Sequence, residues 1–196
     1  MKSMMKDAMI LFAITLISGL LLGVVYEVTK EPIAVSQASR KKEAFQEVFQ
    51  DASGFEVLEL SLSEMEEKAS ATINEVSKAV AEDGKLLGYV FDITTHEGYN
   101  GDIQFTMGIR LDGTVNGISL LSIAETPGLG MKAEEVLKPQ FAGKKVTRFL
   151  YTKTGAVTEE EVDAISGATV TTNALVNGLN AGLEVFKNQL GGAVNE

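Results

Sequence analysis

The chain has 196 residues, no cysteine and one histidine, which excludes disulfides, thiolate catalysis, iron–sulfur clusters and multi-histidine metal sites. It has 17 Lys and Arg residues but 27 Asp and Glu residues, and the resulting net charge of -10 argues against a nucleic-acid-binding surface. Any redox chemistry must therefore come from an organic cofactor.

The first predicted element is an uncharged, apolar run from Ala8 to Tyr26. A helix of that length spans roughly 28 Å, close to the hydrocarbon thickness of a bilayer. The run predicts a transmembrane anchor at 8–26 behind a short tail at 1–7. A buried core helix is one alternative. A cleaved signal peptide is another, although its nearest small-x-small site, Ala34 to Ser36, lies well past the apolar run.

The charges beside this run indicate its orientation only weakly. Lys2 and Lys6 precede the run, whereas Lys30 and three basic residues at 40–42 follow it. Taken literally, the positive-inside rule opposes export of the following domain. The rule fades for long translocated domains, so the charge count leaves both orientations open.

The region 27–70 is predicted to be a helical connection. Ser36 to Gln50 forms its longer helix. The apolar side of that helix carries Phe45, Val48 and Phe49. A short helix is predicted from Ser61 to Lys68, because Ser63 and Glu66 have the spacing of a capping box.

Two Asp-Gly pairs, Asp83-Gly84 and Asp112-Gly113, predict β-hairpins. An Asp-Gly pair between apolar-polar runs is typical of a tight turn in which both central residues take positive φ. The runs that the two pairs separate are 73–81, 86–93, 103–111 and 115–123. Val146 to Thr152 is a further strand candidate, so the fold class is predicted as α+β with an antiparallel sheet and flanking helices.

The last predicted element is a helix whose apolar residues recur every three or four positions. These residues are Leu175, Leu179, Leu183, Phe186 and Leu190. Gly178 and Gly182 lower the helix propensity, but they can let another backbone approach closely. The domain that this helix closes is predicted to span 71–190.

The segment Asp163 to Thr172 leads into this helix and reads D-A-I-S-G-A-T-V-T-T. Gly167 and Ala168 leave the backbone open to a ligand. Hydroxyls are offered by Ser166, Thr169, Thr171 and Thr172. Together with the unpaired N–H groups that begin a helix, they make a natural phosphate cradle. An ordinary helix start with a Ser or Thr N-cap is the alternative.

A second motif is Glu125-Thr126-Pro127-Gly128-Leu129-Gly130. Pro127 fixes one backbone angle and Gly128 permits positive φ, which indicates a tight turn after a strand. The backbone of such a turn can lie flat against a ring system, or it can simply reverse the chain. A third stretch, Gly98-Tyr99-Asn100-Gly101, precedes the central strands.

These segments resemble those of a known family. Asp163, Ser166, Gly167, Ala168 and Thr169 resemble the covalent flavinylation motif of the FMN-binding domains in the G subunit of Rnf complexes and the C subunit of sodium-pumping quinone reductases. The 125–130 motif resembles the Glu-Thr-Pro-Gly-Leu-Gly loop of that family, and 98–101 resembles its Gly-Tyr-x-Gly segment. Two motifs in this order are far more specific than either alone.

The resemblance implies that FMN is joined to Thr169 by a phosphoester, and that a dedicated flavin transferase attaches it from FAD. No residue is assigned a catalytic or metal-binding role. The residues expected to bind the cofactor are Tyr99, Glu125, Thr126, Gly128, Leu129, Gly130, Asp163, Ser166, Gly167, Ala168 and Thr172. One position departs from the family, because Ile123 stands where members often have His. His96 is expected on the surface or in a loop.

The resemblance also implies a function. The chain is expected to relay electrons as a membrane-anchored subunit of an ion-translocating ferredoxin:NAD⁺ oxidoreductase, with membrane and iron–sulfur subunits as partners. Its soluble domain is expected on the outer face of the cell membrane. The alternatives are the C subunit of a sodium-translocating NADH:quinone reductase, a free-standing exported FMN carrier, or an anchored binding domain without flavin.

Overall fold

The computed structural model describes residues 2–60 and 70–191. The short helix predicted over 61–68, with its Ser63 and Glu66 capping box, lies outside the described residues. The helices are α1 (Lys2–Val48), α2 (Ala133–Val136), α3 (Lys138–Phe141) and α4 (Thr169–Gln189), with a 3-10 turn at Gly130–Lys132. The strands are β1 (Gly54–Leu58), β2 (Ala71–Val80), β3 (Leu86–Thr95), β4 (Ile103–Arg110), β5 (Val115–Ser122), β6 (Leu150–Thr152) and β7 (Glu161–Asp163).

The chain forms two compact units, Met1–Lys41 and Lys42–Glu196. The first unit is helical throughout its described residues. This helix is long and apolar enough to cross a membrane, and none of its apolar stretch is buried. That exposure argues against a buried core helix, whereas a membrane anchor and a signal sequence both fit it.

The second unit is built on a five-stranded antiparallel sheet in the order β1-β2-β3-β4-β5. Each strand pairs with its neighbours in the chain, so both predicted hairpins are confirmed. β6 and β7 pair in parallel as a separate two-stranded sheet. With helices flanking the larger sheet, the fold class is α+β, as predicted.

The turns of the two hairpins differ from the predicted geometry. Gly84 and Gly113 have φ values of 78° and 87°, but no non-glycine residue in the described ranges has positive φ. Asp83 Oδ1 instead accepts a hydrogen bond of 3.0 Å from the Lys85 amide, and Asp112 does the same with Thr114. Because the Asp side chain stabilises an ordinary turn in this way, only the glycine needs the left-handed region.

α4 covers one face of the sheet with its predicted apolar side. Its buried residues include Leu175, Leu179, Leu183 and Phe186, while Leu190 is half-buried. A Cβ at Gly178 would lie 2.9 Å from Phe105 Cζ, and one at Gly182 would lie 2.9 Å from Ile93 Cδ1. The two glycines therefore admit side chains of the sheet, rather than another backbone as predicted.

The opposite face of the sheet packs against the end of α1. Phe45, Val48 and Phe49, predicted to share one side of a helix, are buried there with Ala79 and Val90. A Cβ at Gly108 or at Gly88 of the sheet would crowd the Phe49 ring, at 3.1 and 2.8 Å. Within the second unit, the sheet therefore lies between α4 and the residues at the end of α1.

Other local predictions differ from the structure. β1 lies inside the region 27–70 that is predicted to be helical, because residues 54–58 pair with β2 as an edge strand. The strand predicted over 146–152 is limited to β6. Just before β6, the Phe149 amide donates to Asn180 Oδ1 at 2.7 Å instead of joining a ladder. β7, α2 and α3 were not predicted.

Candidate functional site

The three sequence motifs meet at the buried carboxylate of Glu125, which is 5% exposed. Glu125 Oε2 accepts a hydrogen bond from Thr171 Oγ1 at 3.1 Å. Glu125 Oε1 accepts one from the Asn100 amide at 3.3 Å. One side chain of the 125–130 motif thus contacts both the 98–101 stretch and the start of α4.

Two motif glycines leave the space that this carboxylate fills. A Cβ at Gly98 would lie 2.9 Å from Glu125 Oε1, and one at Gly130 would lie 2.8 Å from Glu125 Oε2. The Gly130 Cβ would also come within 2.6 Å of Thr171 Oγ1. Any larger residue at either position would push Glu125 aside.

The 125–130 motif forms the predicted tight turn. The Leu129 amide donates to the Thr126 carbonyl at 3.1 Å, and Gly128 has a φ of 77°. Proline followed by a positive-φ glycine at the two central positions is the pattern of a type II turn. Thr126, Gly128 and Leu129 are exposed, whereas Gly130 is buried.

The turn before α4 lies against this loop. Gly167 has a φ of 78°, and a Cβ there would come within 3.1 Å of Leu129 Cδ2. α4 then begins at Thr169, and its N-cap residue Ala168 makes no side-chain hydrogen bond to the first turn. The ordinary Ser or Thr cap is therefore wrong here. The helix start instead keeps the unpaired N–H groups that favour an anion.

The four hydroxyls of the 163–172 segment fall into two groups. Thr171 donates to Glu125, and Thr172 donates to the Ala168 carbonyl at 3.0 Å while accepting from the Ile165 amide at 3.1 Å. Both of these threonines are buried. Among the described residues, the hydroxyls of Ser166 and Thr169 have no hydrogen-bond partner, and Thr169 is the half-buried one at the helix start.

Asp163 fixes the chain ahead of this turn rather than facing it. Its Oδ1 accepts a hydrogen bond from the Ala156 amide at 2.7 Å. Its backbone N–H donates to Gln140 Oε1 at 2.7 Å, and its carbonyl accepts from Gln140 Nε2 at 3.1 Å. Gln140 lies on α3, a four-residue helix with no recognisable sequence pattern, and it was therefore not among the predicted site residues.

The remaining site candidates lie around the 98–101 stretch. Tyr99 is 72% exposed, beside Asn100, whose Nδ2 donates to the Ala124 carbonyl at 2.7 Å. Asn100 was not predicted as a site residue, although it lies within a recognised motif. His96 is exposed, as expected, and hydrogen-bonds to Asp102 at 2.9 Å. Ile123 packs against the apolar core, so a hydrophobic contact stands at that position.

This geometry fits a phosphate-linked cofactor. The helix start has no side-chain cap, and its first residue offers an unpaired hydroxyl. A Cβ at Gly128 would have nothing within 4 Å, so the loop beside the helix start is open. An anion can therefore reach the helix start, and the surface of the 125–130 loop at Gly128 is accessible.

Comparison with known families gives two matches. Residues 98–184 match the FMN-binding domain, and residues 1–48 match the RnfG N-terminal region. All three motif segments lie within the first match.

Two of the proteins to which the chain is similar over nearly its whole length are both G subunits. One is the G subunit of the Na(+)-translocating ferredoxin:NAD(+) oxidoreductase complex of Acetobacterium woodii, 32% identical over 95% of this chain and 93% of its own length. The other is the G subunit of the ion-translocating oxidoreductase complex of Methanosarcina acetivorans, 30% identical over 97% and 98%. Among solved structures, NqrC of Shewanella oneidensis aligns with 58% of this chain and 57% of its own, at 24% identity and a TM-score of 0.47.

Proposed function

The chain belongs to the family of G subunits of Rnf-type ion-translocating oxidoreductase complexes, and from this premise we propose that it carries FMN covalently on Thr169. Its relatives are subunits of ferredoxin:NAD⁺ oxidoreductases, so its role is electron transfer within such a complex. Its partners are other subunits of the complex. Among these we propose the membrane and iron–sulfur subunits as the ones with which it exchanges electrons.

The observation that carries the proposal is the state of the motif hydroxyls. Thr171 and Thr172 are buried and hydrogen-bonded within the fold. Among the described residues the Thr169 hydroxyl has no hydrogen-bond partner, and it stands at an uncapped helix start two residues after Gly167, which lies against Leu129 of the 125–130 loop. This is the position at which the flavinylation motif expects the acceptor.

Attachment from FAD is a phosphoryl-group transfer, in which the FMN part of FAD moves to the Thr169 oxygen and AMP is the leaving group. The Thr169 oxygen forms a bond to the FMN phosphorus of FAD, and the bond of that phosphorus to the bridging oxygen breaks. AMP leaves with the bridging oxygen, and the hydroxyl proton is released. The unpaired N–H groups of the first turn of α4 would stabilise the negative charge of the phosphate.

Once attached, FMN supplies one- and two-electron redox chemistry. The start of α4 would hold the phosphate, the exposed Leu129 loop and Tyr99 would contact the ring, and the covalent bond would prevent dissociation. The other predicted binding residues have distinct tasks. Asp163 and Thr172 shape the turn, while Gly167 and Ala168 keep it open.

The decisive experiment is the intact mass of the full chain after co-expression with a flavin transferase. We expect a gain of one FMN less one water, and peptide mapping across 163–187 should locate it on Thr169. No gain, with the transferase active on a control substrate, would refute covalent attachment.

We also propose that residues 8–26 anchor the chain and that the FMN-binding domain, 71–190, faces outward. The apolar first unit, with no buried stretch, supports the anchor. A reporter enzyme fused at the C-terminus should be active only on the outer side of the membrane. Activity confined to the cytoplasmic side would contradict the orientation.

A further inference from the structure

We propose that Glu125 is a positioning residue: its hydrogen bond to Thr171 fixes the first turn of α4 and thereby the direction of the Thr169 hydroxyl. This inference rests on the proposed attachment at Thr169 and concerns how that site is held. It assigns Glu125 a role inside the fold, in place of the cofactor contact expected from sequence.

The burial of Glu125 supports this role. The carboxylate is 5% exposed, and each of its oxygens accepts a hydrogen bond from the chain. A charged acceptor removed from water forms stronger hydrogen bonds than an exposed one. Both oxygens of Glu125 are therefore engaged by the chain, and the side chain is buried rather than presented at the surface.

Helix geometry links Thr171 to Thr169. Residues two apart on an α-helix point about 200° apart around its axis. When Thr171 is held toward Glu125 in the interior, Thr169 is turned to the opposite side of the helix. The half-buried state of Thr169 and the buried state of Thr171 agree with this arrangement.

The second oxygen of Glu125 extends the same restraint to the loop that carries Tyr99. Its partner is the backbone amide of Asn100, 25 residues earlier in the chain. Loops held by few contacts are the least stable parts of a fold. Together with the hydrogen bond from Asn100 Nδ2 to the Ala124 carbonyl, the carboxylate helps to hold this loop in place.

Four variants separate the hydrogen bonds from the shape and charge of the side chains. Thr171→Val keeps the shape but removes the donor, and Thr171→Ser restores a hydroxyl. Glu125→Ala removes both contacts. Glu125→Gln can still accept from Asn100 with its oxygen and donate to Thr171 with its nitrogen. Glu159→Gln, at an exposed position outside the site, controls for loss of one negative charge.

The measurement is the initial rate at which purified transferase and FAD load the full chain in detergent, followed by intact mass. Thr171→Val and Glu125→Ala should load roughly three- to tenfold more slowly, as expected for loss of one or two hydrogen bonds. Thr171→Ser, Glu125→Gln and Glu159→Gln should load close to the wild-type rate. The double variant Glu125→Ala/Thr171→Val should be no slower than Glu125→Ala, because both substitutions remove the same bond.

Amide hydrogen exchange of the unloaded protein gives a second readout that needs no flavin. The Asn100 amide should be protected in the wild type and in Thr171→Val, and should exchange faster in Glu125→Ala. Far-UV circular dichroism and thermal unfolding establish that each variant is folded.

Wild-type loading rates in Thr171→Val and Glu125→Ala would overturn the inference, and so would additive effects in the double variant. Unchanged Asn100 exchange in Glu125→Ala would also overturn it. These results are distinct from failure of the proposed function, in which the wild-type chain itself gains no FMN.

Discussion

At the scale of single residues, the hydroxyls around the start of α4 give the sharpest test of attachment. Thr169→Ala should abolish covalent FMN, because it removes the proposed acceptor. The fold should stay intact, because the lost hydroxyl is half-buried and has no hydrogen-bond partner among the described residues. Thr171→Ala and Thr172→Ala should still reach full loading, although Thr171→Ala should do so slowly. Intact mass after prolonged incubation with the transferase measures this.

Ser166→Ala is the matched control, since Ser166 has the only other hydroxyl of the segment that lacks a partner within the described ranges. It should load fully. Loss of FMN in Ser166→Ala with retention in Thr169→Ala would move the acceptor to Ser166.

The residues that lie within recognisable motifs could be identified from sequence. The residues that hold those motifs in place could not. Thr169 and Glu125 lie in motifs of small and hydroxyl-bearing residues that carry a recognisable pattern. Gln140, which pairs with both backbone groups of Asp163, is an ordinary polar residue on a short helix. Its role depends on a contact 23 residues along the chain, and no local pattern encodes such a contact.

At the scale of secondary-structure elements, the packing of α4 on the sheet depends on its glycines. A Cβ at Gly178 would meet the Phe105 ring at 2.9 Å, where β4 and α4 are both buried. Gly178→Ala should therefore lower the free energy of unfolding by about 1–3 kcal/mol, less the gain in helix propensity of up to about 1 kcal/mol. Urea unfolding of the full chain in detergent measures the change.

Glu184→Ala provides the control on the same helix, because Glu184 is exposed. It should change the free energy of unfolding by less than about 0.5 kcal/mol. A Gly178→Ala variant more stable than the wild type would show that Phe105 moves aside at no cost.

A second contact between elements joins the end of α1 to α3. Lys138 Nζ lies 2.6 Å from Glu47 Oε1, and Ser119 donates to the other oxygen of Glu47. Burial by itself would raise the pKa of Glu47, but the hydrogen bonds from Lys138 and Ser119 and the charge of Lys138 outweigh it and hold the pKa below its usual value. The ionised carboxylate is therefore favoured in the folded state.

A group whose pKa is lowered on folding stabilises the protein above its unfolded pKa and loses that contribution as the pH falls. The advantage of the wild type over Glu47→Gln should thus be full at neutral pH and shrink as the pH drops below about 4.5. It should stay below about 1 kcal/mol, because the Glu47 side chain is 46% exposed. Urea unfolding at pH 7 and pH 3.5 tests this, with Glu56→Gln as the control.

The antiparallel hairpins and α4 were predictable because their patterns are local. The Asp-Gly turns join neighbouring strands, and the apolar spacing of α4 repeats within one helix. β1 was missed because its pairing with β2 crosses residues 59–70, and its short sequence carries no alternation that requires a strand. The turn type was wrong because the Asp side chains stabilise a different turn.

At the scale of the whole molecule, the first unit poses the question of anchor against cleaved leader. A retained anchor predicts that the mature protein purified from membranes keeps its N-terminal tail, and that it resists extraction by alkaline carbonate. Intact mass of the purified chain decides the point. A mature N-terminus beyond residue 34, with release into the soluble fraction, would establish cleavage instead.

Burial of two of the four hydroxyls in the 163–172 segment has a consequence for biogenesis. An unfolded chain would present all four hydroxyls to a transferase without preference, whereas folding withdraws Thr171 and Thr172. Under the proposed attachment, tertiary structure narrows the acceptor to Ser166 or Thr169, and the place of Thr169 at the start of α4 selects between them. The ratio of visible flavin absorbance to total protein in a preparation would then measure the fraction of chains that have folded.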